Sequence, residues 1–253
     1  MHRTVSVVIF ANADRLLQNP PAAAMRRAAD TLRRLPPSAA LVLCSSQTRA
    51  EIALVQQWLD VRAPFIVEDG AAAFVPAHYF GRRVPEARDV AGYEVVEVSR
   101  GYRHVLAAIE RVRRELGIEL TGFSDMSIEE VARECGVTLL RARLAKLREY
   151  VEPCLVRYER VPRPVFVRAL HGAGLKTVQR GAHEYIGGIP ESPDALHRMS
   201  NLYRRTFGPS VRVETFIDDG QNRPGVSLDV VAWAEAVVRL AAGAGDRAAS
   251  RAS

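Results

Sequence analysis

The chain opens with a short, mostly β-branched apolar run, VSVVIF at 5–10, which reads as a buried strand. The next block, AAAMRRAADTLRRL at 22–35, sets Ala24, Met25, Ala28, Ala29, Leu32 and Leu35 at helical spacing, and Pro36-Pro37 ends it. ALVLC at 40–44 predicts a second buried strand, and a further helix follows Ser45-Ser46 to about Leu59. Strand, helix, strand, helix with short links predicts a parallel sheet covered by helices. PFIVEDGAAAFV then predicts two short strands around a Glu-Asp-Gly turn.

From about Gly81 the rhythm changes. A strand at 93–98 leads into a long helix at 101–116 that Gly117 stops, and Ser127 with Glu130 forms a capping box before another helix. Strands are predicted near 153–158, at 165–170 and at 175–179. The parallel-sheet pattern resumes at 211–217, followed by a last helix at 227–241, and the small, polar residues 244–253 predict a disordered tail. The simplest organisation is an α/β core made of 1–81 and 181–243, with a smaller α+β domain inserted at 82–180.

Composition adds limits more than identity. The 253 residues are 48% hydrophobic and 25% charged, enough for real cores in one large domain or two modest ones. No apolar run approaches the roughly 20 residues of a membrane helix. The first residues lack the basic-then-apolar layout of a signal peptide, so a cytoplasmic location is expected. Cys44, Cys135 and Cys154 show no CxxC spacing, which argues against a disulfide framework or a zinc site. The net charge of +6 is carried almost wholly by arginine, since Lys146 and Lys176 are the only lysines. That balance suits anionic ligands, although a bias of composition produces the same number.

In a sheet of this kind, ligands bind beyond the carboxyl ends of the central strands. The loops predicted there, 11–15, 45–48 and 218–224, offer Asn12, Asp14, Ser45, Ser46, Asp218, Asp219 and Asn222. Such hard oxygen donors suit Mg²⁺, which prefers carboxylates, water and substrate phosphate. On residue type alone, Asn12-Ala13-Asp14 is equally a turn or a helix cap.

The order strand–DxD, strand–Ser/Thr, insertion, strand–GDxxND resembles the haloacid dehalogenase-like (HAD) phosphatases. More narrowly, the chain resembles the mannosyl-3-phosphoglycerate phosphatase family. LCSSQTRAEI, APFIVEDGAAAFVP, GYEVVEVSRGY, ELGIELTGFSDMSIEEVA, LREYVEPCLV and LYRRTFGPSV carry the likeness over most of the chain. The resemblance implies a Rossmann-like core with a parallel sheet and an inserted α+β cap of the C2 type. It implies Mg²⁺ as the cofactor, if any, and a phosphorylated sugar-acid as the ligand.

Family chemistry starts with attack on phosphorus by the first Asp of DxD, while the second Asp serves as acid and base. The resemblance places Asn12 at the nucleophile position and Asp14 at the acid/base position. Ser45 matches the phosphate-binding hydroxyl, Ser192 stands where a lysine is expected, and Asp14 with Asp219 would be the metal ligands. Ser45, Ser46, Arg148, Glu152, Gly187, Gly188 and Asn222 are the implied ligand contacts. Arg15 replaces a glycine and Arg223 an acidic residue. Each change works against Mg²⁺-assisted transfer, so phosphomonoester hydrolysis is expected to be lost or strongly weakened. The alternative is a working Mg²⁺-dependent glycosyl-3-phosphoglycerate phosphatase using Asp14, Ser45, Asp219 and Asn222.

Two local alternatives compete. Arg148 and Glu152, four apart, would simply pair on a helix end. Residues 127–150 also read as a helix-turn-helix in which Arg141, Arg143, Lys146 and Arg148 touch a DNA backbone. The cap resemblance already accounts for that segment, which disfavours a nucleic-acid partner. The sequence names no protein partner.

Overall fold

The computed structural model describes residues 4–18, 20–188, 194–216 and 229–249, with side chains to 243. The chain begins with β1 (Val7–Asn12), α1 (Ala22–Leu32), β2 (Ala39–Cys44), α2 (Arg49–Leu59), β3 (Phe65–Val67) and β4 (Ala72–Pro76). It continues through β5 (Arg88–Val90), β6 (Tyr93–Glu97), α3 (Tyr102–Leu116), β7 (Glu119–Gly122), α4 (Ile128–Cys135) and α5 (Leu139–Ala145). Then come β8 (Val151–Arg157), α6 (Arg163–Gly172), β9 (Leu175–Arg180) and β10 (His183–Gly188). The described chain ends with α7 (Ala195–Phe207), β11 (Arg212–Phe216) and α8 (Val230–Ala249).

The strands form a seven-stranded sheet ordered β11-β1-β2-β3-β4-β6-β5 and a four-stranded sheet ordered β7-β8-β10-β9. In the larger sheet β11, β1, β2 and β3 are parallel, while β4, β6 and β5 add on antiparallel. Alternate β1 residues supply two cores. Val7, Ile9 and Ala11 pack with α1, α2 and α8, and Val8 and Phe10 pack with α7. A strand buried on both faces must be apolar throughout, which is why β1 and β2 read as continuous hydrophobic runs. The four-stranded sheet is antiparallel, with Leu120, Cys154 and Ile186 packed on Val105 and Ile109 of α3 and Phe166 of α6.

Sheet membership differs from the division predicted at 82 and 180. β5 and β6 belong to the large sheet, and β10 belongs to the small one. An alternating strand does not declare which neighbour it pairs with, and β6 reaches β4 through a hairpin-like return. Residues 165–170, predicted as a strand, lie in helix α6. There Phe166 and Leu170 are buried four apart, so the helical period prevails over β-branching. The last helix, predicted at 227–241, is α8 and runs from Val230 to Ala249. Residues 250–253 lie outside the described residues. Among the described residues, no helix is long and apolar enough to cross a membrane.

Candidate functional site

β1 ends at Asn12, and a single 3₁₀ turn, Asp14–Leu17, follows it. The turn is fixed from beneath, where Ala13 N donates to Cys44 O at 2.8 Å. It is fixed from behind by the fully buried Trp233 of α8, whose Nε1 donates to Asn12 O at 2.7 Å. The side chains of Asn12 and Asp14 therefore face the loop that follows β2. Asp14 N donates to Asn12 Oδ1 at 3.0 Å, and Asn12 Nδ2 lies 3.5 Å from Asp14 Oδ2.

Asp14 is the acceptor at the centre of the site. Ser45 Oγ donates to Oδ1 at 2.5 Å, Ser46 N donates to the same oxygen at 3.1 Å, and Ser46 Oγ donates to Oδ2 at 3.0 Å. Ser45 Oγ in turn accepts from Gln47 N at 2.9 Å. A carboxylate thus fills a cradle of hydroxyl and amide donors that would otherwise suit an anion. At Cys44, next to the cradle, burial, with Asp14 and Asp194 beside it, pushes the thiol up to about 12, away from the thiolate form that reacts.

The smaller unit closes over this loop through Glu68, Asp69 and Arg180, which the sequence did not flag, and through Arg141, which it offered only as a DNA contact. Glu68 is completely buried, and its carboxylate accepts from Glu149 N, Tyr150 N and Val151 N at 2.9, 3.0 and 2.7 Å. Burial raises its pKa, against the lowering effect of Arg148 and those three amides. Asp69 takes both Nη groups of Arg180, at 2.9 and 2.6 Å, and that guanidinium lies 4.9 Å from the centre of the Tyr185 ring. The hydrogen bonds to Asp69 hold Arg180 firmly protonated, and the charge of Asp14 adds to the effect. Arg141 donates to Leu17 O and pairs with Glu51 at 3.1 Å, so it fastens α5 to the turn that carries Asp14. The available signal was the EDG stretch itself, read only as a turn. Glu68 and Asp69 have φ of 48° and 61°, a strained conformation for residues other than glycine.

The structure gathers Asn12, Asp14, Ser45 and Ser46, and brings Arg148 to their edge. Arg148 precedes β8, and its guanidinium donates to Ala145 O, Ser46 O and Gln47 Oε1 at 3.0, 2.9 and 3.3 Å. It makes no helix-end pair with Glu152. The Glu152 carboxylate accepts from Tyr102 OH at 2.5 Å and from Ser124 N and Oγ at 2.8 and 2.7 Å, within the smaller unit. Gly187 and Gly188 lie in β10. A Cβ on Gly188 would come 2.8 Å from Ser99 Oγ, so this glycine lets the strands linking the two units pass closely. Ser192, Asp218, Asp219, Asn222 and Arg223 lie outside the described residues.

The helix-turn-helix elements form as predicted, with Gly136 in the left-handed conformation between α4 and α5. Of the four cations named for a DNA backbone, Arg143 is exposed and the other three are engaged within the chain. Arg141 and Arg148 are buried, and Lys146 Nζ donates to Phe123 O and Met126 O. For Mg²⁺, the described residues at the end of β1 supply only part of a donor set. That part comprises the neutral amide of Asn12 and one carboxylate, Asp14, whose two oxygens already accept hydrogen bonds. No group of three His, Cys, Asp or Glu residues there is placed to hold a metal.

No family model matches the chain. It is 34% identical over 218 residues to a glucosyl-3-phosphoglycerate/mannosyl-3-phosphoglycerate phosphatase of Persephonella marina, covering 85% of this chain and 79% of that protein. It is 30% identical to the protein of the same description from Methanococcoides burtonii, over 68% of this chain and 64% of the relative's length. It is 28% identical to a mannosyl-3-phosphoglycerate phosphatase of Pyrococcus furiosus, over 72% and 71% of the two chains. Among solved structures, a haloacid dehalogenase-like hydrolase from Bacteroides thetaiotaomicron aligns over 82% of this chain and 80% of its own, with a TM-score of 0.52 and 10% identity. A Thermoplasma acidophilum protein aligns over 94% and 99%, with a TM-score of 0.52 and 9% identity. These two likenesses concern the fold.

Proposed function

Because the chain belongs to the mannosyl-3-phosphoglycerate phosphatase family of HAD-fold proteins, we propose that it binds a phosphorylated sugar-acid and hydrolyses it negligibly or very slowly. One observation carries this reading: at the end of β1 stands the amide of Asn12, and its neighbour Asp14 is tied into the Ser45–Ser46 cradle. An amide nitrogen shares its lone pair with the carbonyl and the amide oxygen bears no full charge, so neither attacks phosphorus as a carboxylate does. Loss of a nucleophile costs several powers of ten in rate, and further losses within the same unit do not simply add.

Recognition can outlast chemistry. Arg148 and Arg180 bring guanidinium groups to the edge of the site from the smaller unit, and guanidinium pairs well with phosphate and carboxylate. Mg²⁺ would lean on Asp14 and Asp219, with weak affinity once the first carboxylate of the pair is an amide. The place of action is taken to be the cytoplasm.

The experiment is a titration of the full chain with mannosyl- and glucosyl-3-phosphoglycerate, with and without Mg²⁺, read by thermal shift and followed by ³¹P NMR of the mixture. A raised Tm with the ester recovered intact is expected. Steady release of inorganic phosphate that disappears in Asn12→Ala would overturn the reading.

A further inference from the structure

We propose that a second ligand site, separate from the strand-end loops, lies between α7 and residues 82–86, and that it takes an organic anion of nucleotide size. A cavity of about 800 Å³ is found there, within the range of small-molecule sites. Arg82 and Arg83 stand on one wall, Arg198 and Arg205 on the other. Among the lining residues Glu86 is the one carboxylate, placed 3.6 Å from Arg198 and largely exposed. Asp89 pairs with Arg83 at 2.9 Å, and Glu94 lies buried under the loop. Arg83 and Arg198 are paired with Asp89 and Glu86, whereas the guanidinium groups of Arg82 and Arg205 have no carboxylate partner among the described residues, which favours an anionic ligand.

The floor sets the rest of the ligand. Val84, Val96, Met199 and Leu202 are buried apolar residues of the core beneath α7 and also line the cavity. A bare phosphate would leave this surface wet, whereas a phosphate carried on an apolar body would cover it. Methionine at such a floor adapts to the shape of a ring.

The cavity is also preformed. Val84 N donates to Glu94 Oε1 at 3.1 Å, and Arg82 Nη2 donates to Arg205 O and Thr206 Oγ1 at 3.3 and 3.2 Å. Tyr79 and Phe80 pack edge-on against Tyr203 of α7, with centroids 6.3 and 5.0 Å apart. A wall fixed before binding loses little entropy when a ligand enters.

The test is calorimetric titration of the full chain with ADP, adenosine and pyrophosphate at low and high salt. ADP is expected to bind more tightly than either fragment, and more weakly at high salt. The double variant Arg83→Ala/Arg205→Ala removes two exposed side chains and should weaken ADP at least tenfold while leaving Tm unchanged. Ser45→Ala, in the other site, should leave ADP affinity unchanged. No binding of ADP, equal binding of adenosine or pyrophosphate, or indifference to the double variant would overturn the proposal. So would loss of ADP binding in Ser45→Ala.

Discussion

Ser45 donates to Asp14 Oδ1 at 2.5 Å, so the hydroxyl suited to a phosphate oxygen is already turned to a carboxylate of its own chain. The same oxygen takes Ser46 N, which leaves the cradle internally satisfied. An entering phosphate must displace Asp14 and also meet its negative charge. Asp14→Ala should therefore increase affinity for tungstate or inorganic phosphate several-fold, measured by calorimetry in the absence of Mg²⁺. Unchanged or reduced affinity would show that anions do not use this cradle.

Arg148 links the two units by bonds to Ser46 O and Gln47 Oε1, and it is the charge that opposes the burial of Glu68. Arg148→Ala leaves buried acceptors unmatched and a buried carboxylate without its cation. It should destabilise the chain by about 2–4 kcal/mol in chemical denaturation. Arg148→Lys should not restore stability, because an ammonium cannot reach Ala145, Ser46 and Gln47 with a planar fork. A loss below about 0.5 kcal/mol, typical of surface sites, would contradict this role.

The glycine at 122 is set by contact and not by backbone conformation. An added Cβ would stand 2.2 Å from Glu152 Oε1, and Glu152 cannot retreat because Tyr102 and Ser124 hold it. Gly122→Ala should cost about 1–3 kcal/mol. In a Glu152→Ala background the same change should cost much less, since its obstacle is gone. Additive losses in the double variant would refute the steric account.

Burial lowers the pKa of His183 from its ordinary value of 6.5, and the nearby Glu134 opposes that shift without cancelling it. The unfolded chain then takes up the proton at higher pH than the folded chain does. Stability from this group is fully present above pH 6.5 and falls as pH drops below that value toward the folded pKa. His183→Gln should flatten that part of the Tm-against-pH curve relative to the parent chain. Parallel curves between pH 5 and 7 would contradict it.

The parts of the fold that declared themselves in sequence are those with one dominant local signal. The apolar run of β2, the stop at Gly117 and the Ser127–Glu130 capping box stand where they were predicted, and β1, predicted at 5–10, lies two residues later at Val7–Asn12. Partner choice was not legible. Nothing local told β6 that it would pair with β4, and the valines of α6 masked the Phe166–Leu170 helical pair. The site divides in the same way. Asn12, Asp14, Ser45 and Ser46 stand at or just after strand ends, a position that a linear pattern marks, whereas Glu68 and Arg180 act across the two units, over separations a linear pattern does not carry.

The most direct measurement is release of inorganic phosphate from mannosyl-3-phosphoglycerate by the purified full chain with Mg²⁺, run beside Asn12→Ala and Asn12→Asp. The expected result is negligible release by the parent chain, indistinguishable from Asn12→Ala, with Asn12→Asp falling short of full activity because, on the proposed reading, Ser192 replaces the expected lysine. Turnover by the parent chain in the ordinary enzymatic range, about 1–10³ per second, that is abolished in Asn12→Ala would contradict it.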